Sequence, residues 1–380
     1  MIGFFCKKMN LSYWEHNTWF KNIDFCIVGS GIVGLSCALQ LKQKFPKSKV
    51  LVLEKGTLPQ GASTKNAGFA CFGSVSELLS DLKTHSAEEL YDLVHQRING
   101  LELLKSSLGE KQIDYQQYGG NELFLKKERA VFETCYSGLK SLNQLLHPIF
   151  KADTFYLKTN AFNFKNTLPN LIHTPFEGQI DTGKMMQALL QKVQSKGVIV
   201  LNSTEVHSFS SDAESVHIEL EGFSFKAKHL FIATNAFARN LWNLKVTPAR
   251  NQVLVTKPIT SLKLKGTFHL NEGYYYFRAI HNRILLGGGR HLDTKGETTS
   301  VLDITPNIQM ALEDLLKQVI LPGQSVEIDQ RWSGILGVGQ QKRPIIKAIS
   351  NRVYCGVRLG GMGVAIGSHV GQKLADLIDV

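Results

Sequence analysis

Four apolar residues in a row, Phe25-Cys26-Ile27-Val28, run into a glycine, and the apolar positions beyond it change their period. Ile32, Val33, Leu35, Leu39 and Leu41 recur at helical spacing as far as Phe45-Pro46, which predicts a strand, a tight turn and a helix. Val50-Leu51-Val52-Leu53 is a second buried strand ending at Glu54, so the segment reads as one parallel β-α-β unit. From Ser76 to Leu146 the apolar residues return every three to four positions, predicting a helical or mixed insertion. Asp181 is placed to cap a helix from Thr182 to Lys196, Gly197 ends it, and Val198 to Leu201 follows as a strand. Val216 to Leu220 alternates like a half-buried strand, and His229 to Thr234 is a buried one with small residues at its end. Val253 to Val255, Gly273 to Phe277 and Ile284 to Leu286 lie in a strand-rich stretch from Val246 to Gly289, punctuated by Pro and Gly, that predicts an antiparallel platform. The chain finishes with Val353 to Val357, a turn at Gly360-Gly361-Met362-Gly363, and a helix from Ile366 to Ile378.

Composition adds limits rather than a function. A length of 380 residues with 43% hydrophobic content suits two compact units. The net charge of +11 comes from basic residues scattered along the chain, with no run longer than pairs such as Lys7-Lys8 and Lys126-Lys127, which fits a solvated surface better than a nucleic-acid face. Six cysteines include no CxxC pair, and Cys26 and Cys37 read as small core hydrophobes, so a reducing, cytoplasmic setting is expected. No stretch reaches the length of a membrane span. Met1 to Asn10 lacks periodicity and reads as a loose lead, with Met9 as an alternative start.

The chemistry begins at Gly29-Ser30-Gly31-Ile32-Val33-Gly34. GxGxxG alone is a weak signal, but here it joins a buried strand to a helix. Gly29 allows the turn, Gly31 lets backbone approach a pyrophosphate at a helix N-terminus, and Gly34 permits close packing. Glu54, twenty residues beyond Gly34 at the end of the next strand, is placed to accept hydrogen bonds from ribose hydroxyls. FAD and NAD share this fingerprint. Gly61-Ala62-Ser63-Thr64-Lys65-Asn66-Ala67-Gly68 offers small residues and polar side chains that suit a pyrophosphate or a flat ring, and equally suit a plain loop. Neither HExxH, zinc-spaced His and Cys, GxSxG nor a Walker loop is present, so no metal centre is expected, and the lack of a second GxGxxG argues against an enzyme carrying both FAD and NAD.

Glu54-Lys55 followed by Gly-Ala-Ser-x-Lys-Asn-x-Gly resembles the D-amino acid oxidase-like family of flavoproteins, which includes glycine oxidase, sarcosine oxidase and gamma-glutamylputrescine oxidase. Gly178 to Asp181, Ala233-Thr234-Asn235-Ala236, Pro248 to Gln252, Tyr276-Phe277-Arg278, Trp332-Ser333-Gly334 and Gly360 to Val364 extend the resemblance in the right order from Tyr13 to Ile378. The resemblance implies an α/β fold in which a Rossmann-like FAD-binding domain, about 20–85, 173–240 and 329–380, is interleaved with a mixed-sheet α+β substrate domain, about 86–172 and 241–328. Residues 1–19 would form a lead segment. It also implies non-covalent FAD, with Cys71 the one thiol near the flavin side. Ser63, Lys65, Asn66, Ala67 and Gly68 would lie along the flavin, Val206 would meet adenine through its backbone, and Gly361, Met362, Gly363 and Val364 would lie at a helix N-terminus against the pyrimidine edge.

The arginine that grips a substrate carboxylate in this family follows the tryptophan, and here the run reads Trp332-Ser333-Gly334-Ile335-Leu336-Gly337. Arg343, beside Pro344, is a frame-shifted candidate that also suits a surface loop. Arg278, ending an aromatic strand, is the better one, with a structural ion pair as its alternative. Tyr276 and Trp332 are candidate cavity walls, although a tryptophan is as readily core. The implied reaction is oxidation of a C–N bond in a small amine or amino acid by hydride transfer to flavin N5, followed by imine hydrolysis, with oxygen or a quinone as acceptor. Two alternatives stand beside it: modification of a tRNA wobble uridine, and a flavoprotein without amine turnover.

Overall fold

The computed structural model describes residues 10–242 and 244–378, so the expected start at Met9 lies outside the described residues, as does all but Asn10 of the expected loose lead. Ile23–Val28 forms the centre of an eight-stranded sheet, paired in parallel with Val50–Leu53 on one side and Phe223–Ile232 on the other. Ile199–Leu201 and Val353–Val357 continue the parallel run outward, and Ile345–Ser350 closes one edge antiparallel. Side-chain alternation explains why these strands are apolar throughout. Phe25, Ile27, Val50 and Val52 face a layer of helices, whereas Cys26, Val28, Leu51 and Leu53 face the ribbon Val206–Ser211 and Val216–Leu220.

The helix layer is tight. Ile32–Lys44 crosses the final helix, Gly363–Ala375, so closely that a Cβ on Gly371 would lie 2.5 Å from the Val33 carbonyl oxygen. Ala87–Leu108 packs against the same final helix, with Gly100 facing the Ala365 carbonyl. That helix was expected in the substrate domain, yet its Leu93, Leu101 and Leu104 share a core with Ile32 and Val33.

The second sheet also has eight strands, in the order Ile328–Val338, Thr247–Thr256, Arg283–Gly288, Tyr275–Ile280, Thr267–Leu270, Gly120–Glu122, Asn170–Thr174, Tyr156–Thr159. Its neighbours are antiparallel apart from the pair Thr267–Leu270 and Gly120–Glu122. Ile328–Val338, expected in the dinucleotide domain, instead pairs along its length with Thr247–Thr256. The stretch from Ser76 to Leu146 is mixed, with helices Val75–Asp81, Ala87–Leu108 and Arg129–Phe150 around the short strand Gly120–Glu122. The last helix starts three residues earlier than its apolar periodicity predicts, because Gly360 and Gly361, at φ of 60° and 88°, complete the turn before Met362. No described helix is long and apolar enough to cross a membrane.

Candidate functional site

The carboxyl ends of the central parallel strands open into a cavity of about 410 Å³. This is where an open α/β sheet gathers a ligand, since Ile23–Val28 is followed in sequence by its neighbour on one side, Val50–Leu53, whereas its neighbour on the other side, Phe223–Ile232, comes much later in the chain. Gly29, Gly31, Ile32 and Val33 line it from the first turn, Glu54 and Lys55 from the second strand, and Ala233 and Thr234 from the third. Ala62, Ser63 and Asn66 lie on its rim, with Val206 at one end and Gly361, Gly363 and Val364 at the other. Fifteen of the sequence candidates are thereby brought together.

A second cavity of about 280 Å³ adjoins the first, and Ala62, Asn66, Leu336, Gly361 and Val364 line both. Lys65, Ala67, Met362 and Tyr276 face this second space. The two cavities thus share one wall.

Three candidates act from behind the wall. Ser30 is fully buried and donates both its amide (3.1 Å) and its hydroxyl (2.8 Å) to Glu54 Oε2. Gly34 packs directly on the Gly29 carbonyl, and Gly68, at φ 72°, packs on the Ile180 carbonyl. Glu54 Oε1 meanwhile accepts from the amides of Gly56 at 3.0 Å and Gln60 at 3.4 Å. The carboxylate thus ties down the loop after its strand, and the long Gln60 contact is the one a ribose hydroxyl would most readily displace.

The loop from Ala62 to Gly68 is held from every side, which decides between a plain connection and a built surface. Asn66 donates to the carbonyls of Ala62 and Ser63 and accepts from Gly68 N and Thr182 Oγ1, both at 2.8 Å. Ser63 Oγ accepts from Ile32 N at 3.0 Å, tying the loop to the first helix. Arg278 and Trp332 complete this scaffold and correct two expectations, because neither lines a cavity. Arg278 donates Nε to the Ala67 carbonyl (2.5 Å) and Nη2 to the Ile180 carbonyl (2.8 Å). Burial lowers its pKa to about 10, opposed by Asp181 and Asp114. Its fork therefore serves the backbone and not a substrate carboxylate. Trp332 donates Nε1 to the Lys65 carbonyl at 3.0 Å from the far side of the same loop. Arg343 pairs with Glu89 at 3.4 Å and lies outside both cavities, while its neighbour Lys342 lines the second one and pairs with Asp81 at 2.6 Å. Where the family's carboxylate-gripping arginine was sought, Leu336 stands at the junction of the two cavities.

Sequence reasoning missed His269, Arg290 and Glu77, all of which line the second cavity. Arg290, directly after Gly287-Gly288-Gly289, was findable as a charge at a glycine-rich strand end, and it lies over the Tyr274 ring at 5.3 Å. His269 carried no signal, since a single histidine in Thr267–Leu270 is indistinguishable from a core residue until its partner is known. That partner is Glu177, 1% exposed, whose Oε2 lies 2.8 Å from His269 Nε2 and also accepts from Thr267 Oγ1 at 2.8 Å. Burial pulls the His269 pKa down, but Glu177, with Glu77 and Glu122 nearby, overcomes it and raises the value to about 9. A raised pKa means that the pair contributes its full stability below the unfolded histidine value near 6.5 and loses it as pH climbs through about 9. The melting temperature of the protein relative to a His269→Asn variant is accordingly expected to fall between pH 7 and pH 10; a constant difference across that range would show that the imidazole is not charged. Cys71 also faces this cavity, and burial holds its thiol protonated, the form in which sulfur is a poor nucleophile.

Two observations show that the residues present suit a dinucleotide. Thr234 Oγ1 is buried with no partner among the described residues while its residue lines the larger cavity, and the first turn is shaped so that a side chain on Gly31 would collide with Ser63 Oγ at 2.8 Å. Comparison with known proteins agrees. The family described as DAO, FAD dependent oxidoreductase, matches residues 24–377. Glycine oxidase of Geobacillus kaustophilus is 23% identical over 94% of this chain and 93% of its own, and gamma-glutamylputrescine oxidoreductase of Escherichia coli is 21% identical over 93% and 83%. Among solved structures, the Geobacillus glycine oxidase superimposes with a TM-score of 0.75 at 19% identity, covering 94% of this chain and 95% of that one. L-proline dehydrogenase from P. horikoshii gives 0.73 at 19%, covering 94% and 93%.

Proposed function

This chain belongs to the DAO family of FAD-dependent oxidoreductases, and from that premise we propose that it oxidises the C–N bond of a small amine or amino acid. Bound FAD would supply the two-electron acceptor for a hydride from the carbon beside the nitrogen; the substrate nitrogen would give up a proton, and water would convert the resulting imine to a carbonyl and free amine. The observation that carries this reading is the lining that the two cavities share at Ala62, Asn66, Leu336, Gly361 and Val364, which sets a small-molecule space beside the dinucleotide space.

The chain's own residues supply position and field. The helix Gly363–Ala375 opens where Gly361 and Val364 line both cavities, and the positive end of that helix favours negative charge there. The fixed loop from Ala62 to Gly68 forms one wall, with Arg278 and Trp332 as positioning residues behind it. Tyr276 forms another wall in a slot made possible by Gly287, where a Cβ would lie 2.5 Å from the tyrosine ring. With Leu336 in place of an arginine, a substrate acid group has to be met by Arg290, His269, Lys65 or Lys342, and an uncharged side by Leu336 itself. The names of the similar proteins, glycine oxidase, gamma-glutamylputrescine oxidoreductase and L-proline dehydrogenase, support nitrogen beside the oxidised carbon. Anaerobic mixing of the FAD-loaded protein with a panel of amines and amino acids is expected to bleach the flavin absorbance with at least one of them. Bleaching by 2-hydroxy acids and by none of the nitrogen compounds would sink the proposal.

A further inference from the structure

One segment of the second sheet's half reaches across to the dinucleotide cavity. Ser300 and Leu302 line that cavity, although the strands before and after them, Arg283–Gly288 and Ile328–Val338, belong to the other sheet. Val301 between them does not line it. Leu302 is 42% exposed and Val301 60%, so this short run holds apolar surface out of the core beside a site for a flat ring.

The run is clasped at both ends by one strand. Arg250, in Thr247–Thr256, donates Nε and Nη2 to Glu297 at 2.9 and 2.8 Å, and its amide donates to the Glu297 carbonyl at 2.8 Å. Both side chains are buried, which makes the fork-to-carboxylate pair a fixed joint rather than a surface contact. Two residues along the strand, fully buried Gln252 gives Nε2 to Glu297 Oε1 (2.9 Å) and to Thr305 Oγ1 (2.6 Å), and its Oε1 accepts from Thr305 N (3.0 Å). Glu297 and Thr305 are thus pinned to neighbouring points, and the residues between them, Thr298–Ile304, are forced into a loop whose inner side is Ser300 and Leu302.

We propose that Thr298–Ile304 is a strap that completes the FAD site from the second sheet, with Leu302 as its apolar contact on the cofactor and the Arg250–Glu297–Gln252 clasp as its anchor. The proposal rests on the assignment of the larger cavity to FAD. It makes cofactor retention a property of both sheets, so that the substrate half of the molecule helps to hold the cofactor.

Protein stripped of FAD and titrated with FAD, followed by quenching of flavin fluorescence, tests this without any substrate. Leu302→Ser is expected to raise the Kd about fivefold or more, from the apolar contact removed. Leu302→Met retains the wild-type value, and Val301→Ser, one residue away on the same loop, leaves it unchanged. Equal affinity of Leu302→Ser and wild type overturns the strap, and so does an equal weakening by Val301→Ser, which would mark general loosening of the loop. Failure of the wild-type protein to bind FAD would instead remove the cavity assignment, and the absence of any bleaching amine would remove the reaction while leaving the strap intact.

Discussion

Gly34→Ala is expected to abolish tight FAD binding and to lower the melting temperature by several degrees. A Cβ at this position would lie 1.9 Å from the Gly29 carbonyl oxygen and 3.3 Å from the Ile27 side chain, and backbone oxygen has no rotamer into which it can retreat. The helix Ile32–Lys44 would have to lift from the strand, and it is clamped on its other side by the final helix, where Gly371 already touches the Val33 carbonyl. Overpacking of this kind costs about 1–3 kcal/mol, occasionally more. The turn at Gly29 and Gly31, which lines the larger cavity, absorbs the shift, so binding is expected to suffer more than folding does. Equilibrium FAD titration alongside a thermal melt checks both; a variant with wild-type affinity would show that the first turn is not where the cofactor is held.

Arg278→Met is expected to destabilise the protein by about 3 kcal/mol, the scale for removing charge-assisted bonds and leaving two buried carbonyls unpaired. In a chain of this size that lowers the melting temperature by roughly 4 °C. The carbonyls are those of Ala67 and Ile180, so the loss is centred on the loop that forms the flavin-side wall. The discriminating measurement is inhibitor binding. A residue that grips a substrate carboxylate loses carboxylate affinity when replaced while the melt is unchanged, whereas Arg278→Met shifts the melt and weakens FAD. Arg278→Lys does not rescue it, since an ammonium lacks the planar fork that spans two carbonyls in different segments.

The Rossmann-like unit was legible because its information is local. Strand, glycine turn, helix and acidic strand end occupy residues 23–54, and each step is set by periodicity or by a turn that only glycine completes. The loop from Ala62 to Gly68 was recognisable as a motif, but its rigidity was not, because its hydrogen bonds go to Thr182, Arg278 and Trp332. The same distance explains the two misplaced candidates. Arg278 sits on the strand of Tyr276 and reads as a cavity residue, and only the position of Ile180 shows that its fork is spent. His269 is the opposite case, since its charge depends on a glutamate ninety-two residues earlier in the chain. The strand Ile328–Val338 escaped its correct sheet because Trp332-Ser333-Gly334 reads as a motif, whereas its pairing with Thr247–Thr256 is fixed by register alone.

The order of strands in the first sheet has a consequence for the protein's synthesis. Val353–Val357 and the helix Gly363–Ala375 follow the other elements of both sheets along the chain, yet they complete the core against which the first helix packs and supply Gly361, Gly363 and Val364 to the cavity. The helix Ile32–Lys44, made early, must wait for a packing partner more than three hundred positions further along the chain, which makes this a high-contact-order assembly. A nascent chain stalled before Val353 has no finished place for a flavin, so cofactor loading waits for Gly363–Ala375. Flavin fluorescence quenching in a translation reaction will mark the emergence of Gly363–Ala375 rather than that of the nucleotide motif.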